Sequence, residues 1–166
     1  INYSLSNGLI PTHLDTHMGA VRATPKTLQA YLEVGNKFRL PVQISEEYKS
    51  ILDNKLIDFT KIDKSKIFFL KKIYGKQDDS PINYEEWMKF YKNVLDDIKP
   101  GLNVLLVHVG YDNDELKAIT VDHPHWGSKW RELDFKILES DEFKKRLRKR
   151  NIKLVKWGQI KEVLYD

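Results

Sequence analysis

Short apolar runs alternate with longer amphipathic segments along this chain of 166 residues, and this alternation constrains the fold most. Residues 104–107 form an unbroken apolar run, which is typical of a strand buried on both faces of a parallel sheet. Residues 83–98 instead repeat apolar side chains every three or four positions, which indicates an amphipathic helix. The alternation predicts βαβ units and therefore an α/β fold.

The same local patterns predict the other elements. We expect strands at residues 40–44, 102–110 and 152–157, and helices over 25–38, after Ser45, over 128–138 and after Ser140. Thr24 is placed to cap the first of these helices, with Pro25 at its first position. Residues 76–81 and 111–127 read as loops, and most of residues 55–80 receives no assignment.

Composition excludes several classes of site. The chain has no cysteine, which rules out disulfides and thiolate ligands, so that a metal would need nitrogen or oxygen ligands. It has no apolar stretch near the roughly 20 residues that span a bilayer, so we expect no membrane partner. The net charge is +4, and much of the excess lies in residues 144–153. We interpret that run as a solvated helix face and expect no nucleic-acid partner, because it lacks interleaved aromatic side chains.

Two of the five histidines crowd with an aspartate into one short stretch, "PTHLDTHMG". On a strand, His13, Asp15 and His17 would lie on one face, where imidazole and carboxylate groups could share a metal ion. If the strand ends before His17, this geometry fails. The alternative is a hydrogen-bonded strand end without a metal.

The other three histidines lie in the second half of the chain. His108 follows the apolar run 104–107, and the carboxyl ends of parallel strands are where catalytic groups collect in α/β folds. It is a candidate for acid or base chemistry, and the alternative is a histidine that caps the sheet through hydrogen bonds. His123 and His125 lie in the polar loop, where a surface role is expected, and Trp126 beside them could offer a sugar-stacking face.

Three segments carry a resemblance to a known family. "PTHLDTHMG", "LLVHVGYDNDEL" and "WRELDFKILESDEFKKRLRKRNIKLVKWGQI" resemble, in the family's order, segments of the YdjC-like carbohydrate deacetylases, which include chitooligosaccharide deacetylase. The resemblance implies a distorted, TIM-like (β/α) barrel of the polysaccharide-deacetylase type. It also implies a hydrolase that uses a divalent metal ion, Mg or Zn, to remove acetyl groups from an acetylated sugar or oligosaccharide.

The resemblance assigns a role to four residues. His17 matches the metal ligand of the first motif, which leaves His13 and Asp15 as further metal candidates from spacing alone. His108 matches the histidine that would protonate the leaving amine. Arg131 and Asp134 match a helix position that would support the catalytic site.

The chain departs from the family pattern in two ways, which concern its sugar contacts and the share of a full-length protein that it represents. Met18, Gly19 and Ala20 replace further histidines, and Val109 replaces a proline, so the sugar contacts are expected to differ. The family's first strand, ending in Asp-Asp-Phe-Gly, has no counterpart before residue 11, and a full barrel needs about 250 residues. We therefore expect residues 1–166 to be a single domain that is the C-terminal portion of a longer deacetylase, weakly active alone.

Exposed strand edges of such a portion would pair with the missing N-terminal part or with a second copy of the chain. An alternative of a different class is a non-catalytic carbohydrate-binding module that has lost the metal site. The first residues show no secretory signal pattern, and the compartment stays unassigned.

Overall fold

The computed structural model describes residues 1–53, 56–77 and 79–166. In chain order its elements are α1 (Asn2–Ser6), α2 (Pro25–Lys37), α3 (Lys49–Asp53), β1 (Lys72–Tyr74), α4 (Tyr84–Asp97), β2 (Asn103–Leu105), α5 (Asp114–Ile119), α6 (Ser128–Glu139), α7 (Asp141–Lys149) and α8 (Trp157–Tyr165). Four short 3₁₀ helices lie at His17–Arg22, Glu46–Tyr48, Phe59–Lys61 and Lys64–Lys66. The chain divides into two compact units, Ile1–Lys72 with Leu154–Asp166, and Ile73–Lys153.

In the first unit, the helix α2 forms where its local sequence predicts it. The Thr24 side chain accepts a hydrogen bond from the Thr27 backbone N–H, and the Thr27 side chain returns one to the Thr24 backbone. This reciprocal cap satisfies two N–H groups that a helix start otherwise leaves unpaired. Leu28 and Leu32 are buried on the inner face of the helix. The prediction for this helix is confirmed.

Two isolated parallel β-bridges connect segments of the first unit that lie outside its helices. One joins Leu14 to Val42, and the other joins Ser45 to Leu70. The predicted strand 40–44 is therefore an extended, buried segment with an isolated bridge at Val42, and not a regular strand. Ser45 starts the following 3₁₀ helix without capping it, because its hydroxyl donates to Glu47 Oε1 at 2.7 Å. The core beneath these segments contains Leu28, Tyr31, Leu32, Val42, Ile44, Leu52, Ile57 and Ile62.

The second unit packs α4, α6 and α7 around an aromatic core. Its buried members are Trp87, Met88, Tyr91, Leu95, Trp130, Leu133, Ile137 and Phe143. Asn83 caps α4 by accepting from the Glu86 N–H, and Ser140 caps α7 by accepting from the Phe143 N–H. These helices follow the apolar periodicity of the sequence, so the predictions for 83–98, for 128–138 and for the helix after Ser140 are confirmed.

A small parallel sheet completes the described elements. β1 and β2 pair with each other, and the Leu106 N–H donates to the Tyr74 carbonyl at 2.8 Å beyond the end of β2. β2 is half-buried along its length and shorter than the predicted strand 102–110. The fold is a helix-rich α/β arrangement, as expected in class. The barrel and the single domain stay predictions.

Two further predictions of local structure are wrong. Residues 152–156 form no strand, and α8 begins at Trp157, because Gln159 turns back and its Oε1 accepts from the Lys156 N–H. Residues 111–127 are not all loop, since Asn113 caps α5 within them. For the loop expected at 76–81, residue 78 lies outside the described residues. In the part of the chain that is described, no helix is long and apolar enough to cross a membrane.

Candidate active site

His108 lies three residues beyond β2, and a buried carboxylate fixes its backbone. The His108 N–H donates to Asp134 Oδ2 at 3.0 Å. Asp134 is on α6 and is 3% exposed, so its carboxylate must find hydrogen-bond donors within the protein. The position that follows the parallel strand is thereby tied to the helix that packs beside it.

The other oxygen of the same carboxylate takes two donors from α4. Asp134 Oδ1 accepts from the indole Nε1 of Trp87 at 3.0 Å and from the hydroxyl of Tyr91 at 2.8 Å. Burial, followed by the adjacent Asp134 carboxylate, raises the pKa of Tyr91 far above its usual range. Tyr91 therefore stays a neutral donor, and its proton stabilises the carboxylate.

Trp126 packs against the His108 side chain. The two ring centroids are 4.5 Å apart and their planes are nearly perpendicular. The Trp126 ring also contacts Trp130, with centroids 5.0 Å apart, and Trp130 meets Trp87 edge to face with centroids 4.7 Å apart. A continuous row of aromatic contacts thus runs from the buried core to the half-buried Trp126. His125 beside it is exposed, and its Nε2 lies 3.4 Å from Asp79 Oδ1.

Arg131 connects two loops of this site. Its Nε donates to the Trp126 carbonyl at 2.7 Å, and its own carbonyl accepts from the Gly110 N–H at 3.3 Å. A Cβ at Gly110 would stand 2.8 Å from a Leu116 methyl and 3.4 Å from Arg131 Cβ, so a side chain at this position would have to displace the Leu116 side chain. The structure therefore places Arg131 and Asp134, both on α6, beside the loop that carries His108: Asp134 binds the His108 N–H, and Arg131 binds the Gly110 N–H two residues further on. Their chemical roles stay predictions.

Lys76 is a part of this region that sequence reasoning missed. It is 4% exposed, and its ammonium donates to Ser80 Oγ at 2.7 Å. The ammonium also lies 4.6 Å from the centroid of the Trp87 ring, a favourable cation–π distance. No sequence signal marks it, because a lysine in a polar, proline-containing stretch is typical of a solvated loop.

In the first unit, the backbone of Leu14 holds the "PTHLDTHMG" segment. The Leu14 N–H donates to the Pro41 carbonyl at 2.8 Å, and the Leu14 carbonyl accepts from the Gln43 N–H at 3.1 Å. The same carbonyl accepts from the Tyr31 hydroxyl at 2.6 Å. Burial is the main reason that the pKa of Tyr31 rises to about 12. The segment is thus paired at Leu14 through an isolated parallel bridge, and it is not part of a regular strand.

The three candidate metal ligands of that segment do different things. The His13 ring stacks on Trp157 with centroids 4.4 Å apart and planes 2° from parallel, and burial lowers the pKa of His13 against the influence of Asp15. Asp15 is exposed and accepts from the Thr16 N–H at 2.6 Å. His17 is exposed and starts a 3₁₀ helix, so the strand alternation stops before it.

Within residues 1–53, 56–77 and 79–166, no group of three or more histidine, aspartate or glutamate side chains could hold a metal ion. The described residues therefore do not fit a complete metal centre. One exposed imidazole, that of His17, stands at the position that the resemblance assigns to a ligand. The assignments of His13, Asp15 and His17 stay predictions.

The fold and this arrangement define a helix-rich α/β protein whose candidate site follows a parallel strand. Residues 1–149 match the model of a family described as YdjC-like protein. Because this match covers most of the chain, the protein belongs to the YdjC-like family. Members of that family are in general carbohydrate-modifying hydrolases, and the family is generally metal-dependent.

A solved structure of a protein from Enterococcus faecalis V583, provisionally described as a cellobiose-phosphate cleavage protein, is similar to the chain, with a TM-score of 0.66 and 19% sequence identity. The similarity covers 94% of this chain and 55% of that one, so the chain spans about half the length of that protein. At this identity the likeness concerns the fold alone. A search of curated proteins found no match.

Proposed function

We propose that this chain is part of a hydrolase that removes acetyl groups from N-acetylated sugars or oligosaccharides. The observation that carries the proposal is the placement of His108 after β2, with its backbone held by the buried Asp134 carboxylate at 3.0 Å. Membership of the YdjC-like family supports the substrate class. The distorted barrel belongs to the same proposal and would be completed by chain beyond these residues.

The reaction assigns a proton transfer to His108. Hydrolysis of the acetamide adds water to the carbonyl carbon and breaks the bond from that carbon to the sugar nitrogen. The leaving amine must gain a proton, and an imidazole at hydrogen-bond distance can supply it. The products are acetate and an amino sugar. Asp134 acts as a positioning residue in this scheme, because it is buried and binds the His108 backbone N–H.

Arg131 has a comparable positioning role. Its side chain holds the Trp126 carbonyl, and its backbone holds Gly110, two residues beyond His108. The loops on both sides of the site are thereby attached to α6. Fixing the donor before substrate arrives lowers the entropic cost of reaching a reactive geometry.

We propose that the whole protein depends on a divalent metal ion, as the family generally does. His17 is the ligand that this proposal takes from the chain, and Mg or Zn would suit nitrogen and oxygen ligands. The remaining ligands would come from residues other than those that the structure describes.

The test measures acetate release from N-acetylglucosamine and N,N′-diacetylchitobiose by the protein purified from its natural source, with divalent metal supplied. We expect release, and we expect His108→Gln to lower kcat by about a hundredfold. The matched control is His123→Asn, an exposed histidine outside the site, which should leave kcat unchanged. If neither sugar releases acetate, or if His108→Gln keeps full kcat, the proposal is wrong. Sugar binding without release would support the carbohydrate-binding module instead.

A further inference from the structure

Trp126 has a backbone conformation that tryptophan seldom adopts. Its φ is +66°, in the left-handed region where a side chain crowds the backbone. Such conformations persist only where the surrounding structure holds them, and they cluster at binding and catalytic sites. The conformation is thus a reason to ask what the Trp126 side chain does.

The surroundings of Trp126 fix it from three directions. Arg131 Nε binds its carbonyl at 2.7 Å, and the ring of Trp130 lies 5.0 Å away. The next residue, Gly127, approaches the His123 carbonyl so closely that a Cβ would lie 2.5 Å from that oxygen. The tight turn before α6 therefore depends on glycine. This turn sets the direction in which the Trp126 side chain projects from the backbone.

Core packing accounts for only part of this arrangement. Trp126 packs against the aromatic core of the second unit. Trp130 and Trp87 are 1% and 0% exposed, whereas Trp126 remains half-buried and keeps part of its ring open to solvent. Its ring contacts His108 at 4.5 Å between centroids, on the side of the proposed proton donor. A rigid aromatic ring that is partly open and touches a catalytic group is a typical lining of a ligand site.

We propose that Trp126 is the platform on which the sugar ring of the substrate stacks beside His108, and that it sets the specificity for a pyranose. The inference rests on the proposed function, since it concerns the same site. The apolar C–H face of a pyranose ring matches the face of an indole in size, and the hydroxyl edge would remain in water. The acetamido group of a ring stacked there would lie near the imidazole.

The experiment separates binding from turnover. Affinity for N,N′-diacetylchitobiose is measured by calorimetry in a His108→Gln background, and KM and kcat are measured with His108 intact. We expect Trp126→Ala to weaken binding and raise KM roughly tenfold with little change in kcat, and Trp126→Phe to restore most of the affinity. Tyr111→Ala is the matched control, because Tyr111 is an exposed aromatic residue of the same unit that packs against Phe135.

Each result decides the inference. Equal binding by Trp126→Ala and by the parent protein overturns it, as does an absence of any binding, or an equal loss in Tyr111→Ala. If Trp126→Ala loses binding and Trp126→Phe does not recover it, while both variants unfold at the parent temperature, a general stacking role is also wrong. If binding depends on Trp126 but no acetate is released, the stacking role of Trp126 is supported and the proposed deacetylase activity is wrong.

Discussion

Asp134 Oδ2 accepts a hydrogen bond from the backbone N–H of His108, although the two residues are 26 positions apart in the chain. The same carboxylate accepts from Trp87 and Tyr91 through its other oxygen. One buried carboxylate therefore joins α4, α6 and the segment that follows β2. Stability of the second unit and placement of His108 depend on the same side chain.

Asp134→Ala should destabilise the protein by about 3–5 kcal/mol, because it leaves three donors without an acceptor in a buried place. Asp134→Asn keeps one acceptor oxygen and should cost less stability, but its amide N–H₂ would face one of the three donors. We expect Asn to lower kcat more than its stability loss explains. Chemical denaturation and steady-state kinetics give the two quantities.

The control for Asp134 is Glu132→Ala on the same helix. Glu132 pairs with Lys136 at the surface, at 2.6 Å, and such pairs contribute about 0.5 kcal/mol. If Glu132→Ala costs as much as Asp134→Ala, the special role of the buried carboxylate is refuted.

The raised pKa of Tyr31 predicts that the free energy of unfolding falls at alkaline pH. Its pKa is raised from an ordinary value near 10 to about 12, so the folded state holds the phenol proton more tightly than the unfolded chain does. The stabilisation is complete below about pH 10 and is lost as the pH rises toward about 12. Between about pH 9 and 11, the free energy of unfolding of Tyr31→Phe should fall by roughly 1 kcal/mol less than that of the parent protein.

The measurement is the free energy of unfolding by urea at each pH. Tyr3→Phe serves as the control, because Tyr3 is 82% exposed. Parallel pH profiles for Tyr31→Phe and the parent protein would contradict the prediction.

Gly127→Ala should impair the site through Trp126. The added methyl group would lie 2.5 Å from the His123 carbonyl oxygen, so the turn must open and move Trp126 away from His108. We expect a rise in KM and a loss of about 1–3 kcal/mol in stability. Gly8→Ala is the steric control, since an added Cβ there meets nothing within 4 Å, although its φ of +77° carries its own strain. An unchanged KM in Gly127→Ala would separate the turn from substrate binding.

His13 and His17 should respond differently to substitution. We expect His17→Ala to lower the metal content of the whole protein, measured by mass spectrometry. His13→Ala should leave the metal content unchanged but alter the fluorescence of Trp157, on which His13 stacks at 4.4 Å. His13→Phe keeps an aromatic partner and should restore the fluorescence. Loss of metal in His13→Ala would instead support the ligand set expected from the sequence spacing.

Much of the helical part of the fold could be predicted. The caps at Thr24 and Ser140 and the apolar stripe of α4 act over three or four residues, so the sequence contains all the information that they need. The strands were harder, because a strand exists only if a distant segment pairs with it. Residues 152–156 have the composition of a strand and yet form none, while residues 40–44 keep only one bridge.

The candidate site was predicted in part, and for different reasons at each residue. His108 was marked by its position after an apolar run, and Arg131 and Asp134 only by the family resemblance. The sequence makes Trp126 a sugar-stacking candidate, but its contact with His108 depends on a turn that no periodicity indicates. Lys76 was missed, since its burial results from the aromatic rings of Trp87 and Trp130 around it.

The sequence by itself determined the α/β class, the main helices and the family, because each depends on local pattern or on motifs read in order. Only the tertiary structure decided that Asp134 holds His108, that Trp126 packs beside it, and that His13 stacks on Trp157. Those contacts join residues far apart along the chain. Burial and hydrogen-bond geometry, which select them, exist only once the chain has folded.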